Sequence, residues 1–262
     1  MAAEQSAGTP AGPGPLPFVA PCRRLSASAP LRWVRLGWDD VRRAWRPTLS
    51  YGITVVAISY ATTWLAFRLG SYVLVLAALS GFVFIAPVGA IGLYEISRQV
   101  EAGRKPKMIV ALSGTRRAFG NAMVFGLALL VVFLVWARAA SIISIFLPLD
   151  ANPGFADLWP YLLVGSLVGT VFAGITFAIS AFSLPMIDDR DTDTVTALVT
   201  SVNAVLRNKQ AMAVWAAIIV ASVIVGFATA FLGLIILIPL LGYATWHAYE
   251  ETIDASAWPP AG

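Results

Sequence analysis

Three places in this chain put ionisable side chains shortly after a proline inside an apolar run. Glu95 lies eight residues after Pro87, and His247 lies eight residues after Pro239. Asp188 and Asp189 follow Pro185 more closely, with Arg190 next to them. On a helix, eight residues span about 12 Å, so Glu95 and His247 are expected at similar depth and near each other. Arg98, Arg190 and Glu250 are their neighbours in sequence. Such a cluster (Glu95, Arg98, Asp189, Arg190, His247 and Glu250) could handle a proton, a cation or a lipid headgroup, because ionisable groups in apolar spans are costly and need a reason. The simpler reading is that these residues mark helix ends and pair with one another.

The chemistry this set excludes is also informative. His247 and Cys22 are the only histidine and cysteine. One of each cannot make a cysteine–histidine zinc site or a bis-histidine haem site in one chain. No metal and no cofactor are expected on that count. No nucleophile elbow, phosphate-binding loop, dinucleotide fingerprint or HExxH motif is present. The reading is therefore a protein without enzymatic activity. A single cysteine also excludes an internal disulfide.

The elements that must carry the cluster are membrane spans. Residues 212–249 form an apolar stretch in which His247 alone could carry charge near neutral pH. A bilayer core takes about 20 apolar residues per helix. The stretch is therefore two spans, folded back at Phe231-Leu232-Gly233. Mean hydropathy is +0.78 and only 12% of residues are charged, half the share of a soluble domain.

Four further spans are expected at residues 48–67, 71–94, 121–140 and 161–187. The first pair turns at Arg68-Leu69-Gly70, and residues 141–159 form a loop carrying Asp150 and Asp157. Pro87, Pro185 and Pro239 each lie inside the second span of a hairpin, where proline kinks a helix. Gly165, Gly169 and Ala173 make a ridge that permits close helix contact.

Three amphipathic stretches precede the hairpins. Leu31, Val34, Trp38, Val41 and Trp45 form one helical stripe, with Arg32, Arg35, Arg42 and Arg43 off it. A helix of that kind lies flat in the membrane interface. Met108, Ile109, Leu112 and Phe119 make a second stripe. Val195, Leu198, Val199, Val202, Val205 and Leu206 make a third, whose charging at Val199 should cost far more than at Thr200. The fold class is therefore all-α: a six-helix transmembrane bundle with three interfacial helices, in three repeats of helix plus hairpin. Residues 1–29 read as a disordered tail, 30–251 as the membrane domain and 252–262 as a short tail.

Of the 18 Lys and Arg residues, only Arg68 and Arg138 fall at the far-side turns or span ends. The positive-inside rule then puts both termini in the cytoplasm. The net charge of +4 follows sidedness, so nucleic acid is not an expected partner. Lipid is, and other membrane subunits are candidates.

Several stretches resemble a bacterial family of predicted integral membrane proteins classed as a domain of unknown function. They are Pro30-Leu31-Arg32-Trp33 with Gly37-Trp38-Asp39; Ser50-Tyr51-Gly52; Ala86-Pro87 with Gly92-Leu93-Tyr94-Glu95-Ile96-Ser97-Arg98; Leu184-Pro185-Met186 with Asp189-Arg190-Asp191; and Pro239-Leu240-Leu241-Gly242 with Ala244-Thr245-Trp246-His247-Ala248-Tyr249. The resemblance implies a bacterial inner-membrane protein without an established activity. Some relatives carry the label of a cytochrome c oxidase subunit. A single histidine is incompatible with the haem and copper ligands of a catalytic subunit, so the resemblance implies at most an accessory subunit or assembly factor. The rival expectation is a small-solute or lipid transporter with its site between the proline-broken helices.

Overall fold

The computed structural model describes residues 17–69, 72–147 and 154–261. Residues 1–16 of the expected tail, Gly70 of the first turn and Asp150 of the far-side loop lie outside the described residues, as do the side chains of Ile109 and Leu112. Among the described residues there are nine helices and no strand. They are α1 (Ala29–Arg43), α2 (Trp45–Leu69), α3 (Tyr72–Glu101), α4 (Met108–Phe146), α5 (Phe155–Ser180), α6 (Ser183–Asp189), α7 (Thr194–Arg207), α8 (Lys209–Ala228) and α9 (Leu234–Thr252). Three described stretches are long and apolar enough to cross a membrane: Ala118–Phe146, Leu158–Asp189 and Lys209–Ala228.

Each expected proline kink has its own outcome. Helix α3 runs through Pro87 and α9 runs through Pro239. The helical run before Pro185 breaks between α5 and α6. Proline has no N–H to offer the preceding turn, and neighbouring groups take up what the break frees. The Ser201 hydroxyl accepts from Phe182 N at 3.0 Å and donates to the Ala178 carbonyl at 2.8 Å. Ser183 donates to the Ala197 carbonyl at 3.1 Å. The turn expected at Phe231-Leu232-Gly233 is present between α8 and α9, with Ala230 and Phe231 at φ 47° and 67°. Helix α4 is continuous, so the second amphipathic stretch and the span after it form one helix.

Helices α1 and α7 form where the apolar period puts them, with most of the expected stripe turned outward. In α1 Trp33, Gly37, Asp40 and Val41 are buried while Leu31 and Trp38 are exposed, and Trp45 at the start of α2 is exposed as well. In α7 they are Thr196, Ala197, Thr200, Ser201 and Ala204, while Val195, Val199 and Leu206 are exposed. The expected ranking of Val199 above Thr200 is thereby corrected: Thr200 is fully buried and Val199 is 36% exposed. The small and hydroxylic face of α7 is the one that reaches bonding partners, and Thr200 accepts from Ala20 N at 3.1 Å.

The two expected tails are packed where they are described. Ala20, Ile253, Ala255 and Trp258 are buried. Cys22 pairs with Ile253, and Arg190 with Pro260, as isolated antiparallel bridges. Asn208, between α7 and α8, ties this region together. Its amide donates to the Arg23 and Ala204 carbonyls and accepts from Leu25 N at 2.8 Å.

Candidate functional site

The end of α9 is the axis of the site. Tyr243, Ala244, Trp246, His247, Ala248 and Tyr249 are all buried, and the polar atoms among them each meet a different helix. Close approach makes this possible. A Cβ on Gly37 would meet the Ala244 backbone nitrogen at 2.9 Å, and one on Gly242 would meet the Leu93 side chain.

His247 bridges two carboxylates. Its Nε2 lies 2.8 Å from Asp40 Oδ2 on α1, and its Nδ1 lies 3.1 Å from Glu101 Oε1 on α3. Asp40 is 4% exposed and also accepts from the Ser97 hydroxyl at 2.5 Å. Glu101 accepts from Trp246 Nε1 at 3.0 Å through its other oxygen. Glu250 lies beside this group: ligand-type atoms of Glu101, His247 and Glu250 all fall within 4.8 Å of one another. These three residues could together hold a metal ion.

The two glutamates are held in opposite directions. Burial works against the ionised form of Glu101, but hydrogen bonds from His247 and Trp246 outweigh it and keep its pKa below the usual value. Partial burial, with the Glu101 carboxylate alongside, pushes Glu250 up to about 8.

A second group lies next to the first. Arg98 pairs with Glu95 at 3.4 Å and with Asp188 at 2.7 Å. Its guanidinium stacks over the Trp246 ring, 4.8 Å from the centroid. A third group joins Asp189 to Arg190 at 2.7 Å and to the Tyr249 hydroxyl at 2.8 Å. Arg190 also donates to the Trp258 carbonyl.

All six expected residues thus sit in one polar layer, in three sets. Glu95 pairs with Arg98 and Gln99, whereas the partners of His247 are Asp40, Glu101 and Ser97. Trp246 connects the two sets, stacked on Arg98 and bonded to Glu101. Sequence reasoning missed Asp40, Ser97 and Glu101. The available signal for Asp40 was its place on one helical face with Trp33, Gly37 and Ala44, a face of small residues with one carboxylate.

Next to the polar layer, α3, α4, α5 and α6 border an open pocket of about 580 Å³. Pro87, Phe125, Trp136, Phe172 and Leu184 line it, and Tyr94 stands at the edge nearest the ion pairs. Its hydroxylic lining is confined to Tyr94, Thr176 and Ser180, and Ser180 already donates to its own helix at the Thr176 carbonyl.

Long apolar helices, a pocket bordered by them and a layer of ion pairs at one end describe a membrane protein. Residues 73–189 match the family described as "Predicted integral membrane protein (DUF2189)". The matched segment holds most of the cavity lining, and Glu95, Arg98, Asp188 and Asp189. Asp40, His247 and Glu250 lie outside it. No curated protein and no solved structure matches the chain.

Proposed function

We propose that this is a six-span, non-enzymatic accessory protein of the bacterial inner membrane, with both termini cytoplasmic, that holds a lipid-like molecule between α3, α4 and α5. The observation that carries the reading is the 580 Å³ apolar cavity, within the size range of ligand pockets. It lies between helices of the membrane, so the molecules at its opening are lipids. Its lining suits an acyl or isoprenoid chain and gives a polar solute no partners. The concentration of Lys and Arg in the N-terminal region and in the stretches after the second and fourth expected spans supports the orientation.

The test is gentle purification from native membranes followed by mass spectrometry of retained lipids. Ala90→Phe and Ala173→Phe should fill the cavity and lower lipid retention at least fivefold. Retention equal to that of the unaltered protein would overturn the reading.

An assembly role is the second reading, favoured by α5. A Cβ added at Gly165 meets nothing within 4 Å and one at Gly169 meets only the Trp136 ring nitrogen at 3.9 Å, so the glycine ridge has room for another apolar helix. In a Cys22→Ser background, Gly165→Cys should then crosslink to one defined membrane partner. Crosslinking only to random neighbours would refute this role.

A further inference from the structure

We propose that Glu101, His247 and Glu250 bind one divalent transition-metal ion of the zinc or manganese class, with Asp40 as the outer support of the histidine. Nothing in the proposal depends on the lipid cavity. Three observations carry it.

The first is the donor set. His247 Nδ1 and a carboxylate oxygen from each glutamate fall within 4.8 Å of one another. Metal–ligand bonds of about 2 Å put neighbouring ligands of a tetrahedral site roughly 3.4 Å apart. His247 and Glu101 are already at 3.1 Å, so closure needs only a movement of the Glu250 head of about 1 Å. Glu250 and Glu101 are exposed while His247 is buried, so the site is open to solvent on the glutamate side. A nitrogen donor beside carboxylates suits zinc, manganese or iron better than magnesium or calcium.

The second observation is the far side of the ring. Metal-ligating histidines hand their other N–H to a carboxylate that is itself hydrogen-bonded. His247 Nε2 faces Asp40 at 2.8 Å, and Asp40 is held by Ser97 at 2.5 Å. That arrangement keeps the Nε2 proton on the Asp40 side, so Nδ1 is the nitrogen turned to the glutamates. Trp246 acts in the same way on Glu101: it occupies Oε2 and leaves Oε1 on the side of Nδ1.

The third is charge. Asp40, Glu101 and Glu250 are three carboxylates around one imidazole. Arg98, which reaches Trp246 from its other face, is taken up by Glu95 and Asp188. In the metal-free protein a proton on Nδ1 links the ring to Glu101. The ion displaces that proton and takes its place. Binding therefore releases a proton to solvent, and no oxidant or reductant is involved.

The experiment uses the full chain in detergent after chelator treatment, titrated with Zn²⁺ by calorimetry and with Co²⁺ by absorption. One ion per chain is expected, with proton release seen as a buffer-dependent heat. Glu250→Gln should weaken affinity at least tenfold while leaving the metal-free melting temperature and helicity unchanged. Asp40→Asn, which touches no ion, should weaken it 10- to 100-fold. If Asp40→Asn does not fold, Glu250→Gln and Glu101→Gln decide the matter. Absence of saturable one-to-one binding, or affinity unaltered in both glutamate variants, would overturn the proposal.

Discussion

Helices α5 and α9 are both apolar runs interrupted or ended by a proline-associated polar cluster, yet they keep opposite company. No described residue of α5 is buried, although it packs on α4 and α7. Most of the last ten residues of α9 are buried, against α1, α2, α3 and α6. The difference lies in what each helix offers its neighbours. In lipid, apolar side chains gain nothing from leaving a solvent that is equally apolar, so tight contacts form through small residues and polar partners. Helix α9 has both: Gly37 and Gly52 let α1 and α2 approach it, and Trp246, His247 and Tyr249 each find a charged group. Helix α5 has the glycines but no polar group that reaches across, and it is held chiefly at its end by Ser201.

That contrast can be broken at its strongest point. A Cβ at Gly52 would run into the Ile235 backbone carbonyl, which cannot yield as a side chain end can. Gly52→Ala should therefore destabilise by about 3 kcal/mol, the upper range for overpacking, read as thermal unfolding in detergent. Gly165→Ala on α5 should do the reverse and stabilise by about 0.5 kcal/mol through helix propensity alone. Equal effects at the two glycines would mean that α2 and α9 are not in the close contact described.

The hold on α5 gives the next effect. Ser201→Ala leaves the Phe182 N–H and the Ala178 carbonyl without their partner in a buried place, which costs about 2 kcal/mol. Val199→Asp, two positions away in the chain but on the exposed face, should lower the melting temperature less. Proteolysis at the α5–α6 junction in Ser201→Ala and not in Val199→Asp would sharpen the case.

The smallest effect concerns the start of α7. The Asp193 side chain accepts from Thr196 N at 2.9 Å, and the Thr196 side chain, with this and neighbouring backbone N–H groups, holds its carboxyl below the ordinary aspartate value. A lowered folded-state pKa gives stability that is present above the unfolded pKa and is lost as pH falls through the folded one. Asp193→Ala should cost about 1 kcal/mol at neutral pH, and the difference from the unaltered protein should shrink as pH falls below the ordinary aspartate value. A difference that persists there would mean the cap does not depend on charge.

The helices were legible in the sequence because apolar period and apolar length are local properties. The inward face of α1 and α7 was not. The usual rule puts the apolar stripe inward because water lies outside. Here Leu31, Trp38 and Val199 face outward, as residues that meet lipid do, and Thr200, Ser201 and Asp40 face inward because they have bonds to make there. The site was legible in the same partial way. His247 stood out as a single residue and its depth could be reckoned from Pro239, but Asp40 lies 207 positions away on a helix whose rotation the apolar stripe misreports. Counting histidines and cysteines also left out the two glutamates that stand beside the ring.

The pairing of residues near both ends of the chain has a consequence for biosynthesis. Cys22 meets Ile253, Arg23 N bonds to the Thr252 carbonyl, and Asp191 N bonds to the Pro259 carbonyl. The early strand of this seam therefore leaves the ribosome more than two hundred residues before its partner. Until residues 252–261 emerge, the helices can enter the bilayer, but Cys22 and Arg23 lack the partners they pair with. Closure of that seam therefore waits for a segment made long after its first half, and a chain that stops short of it leaves that half exposed for proteases to find.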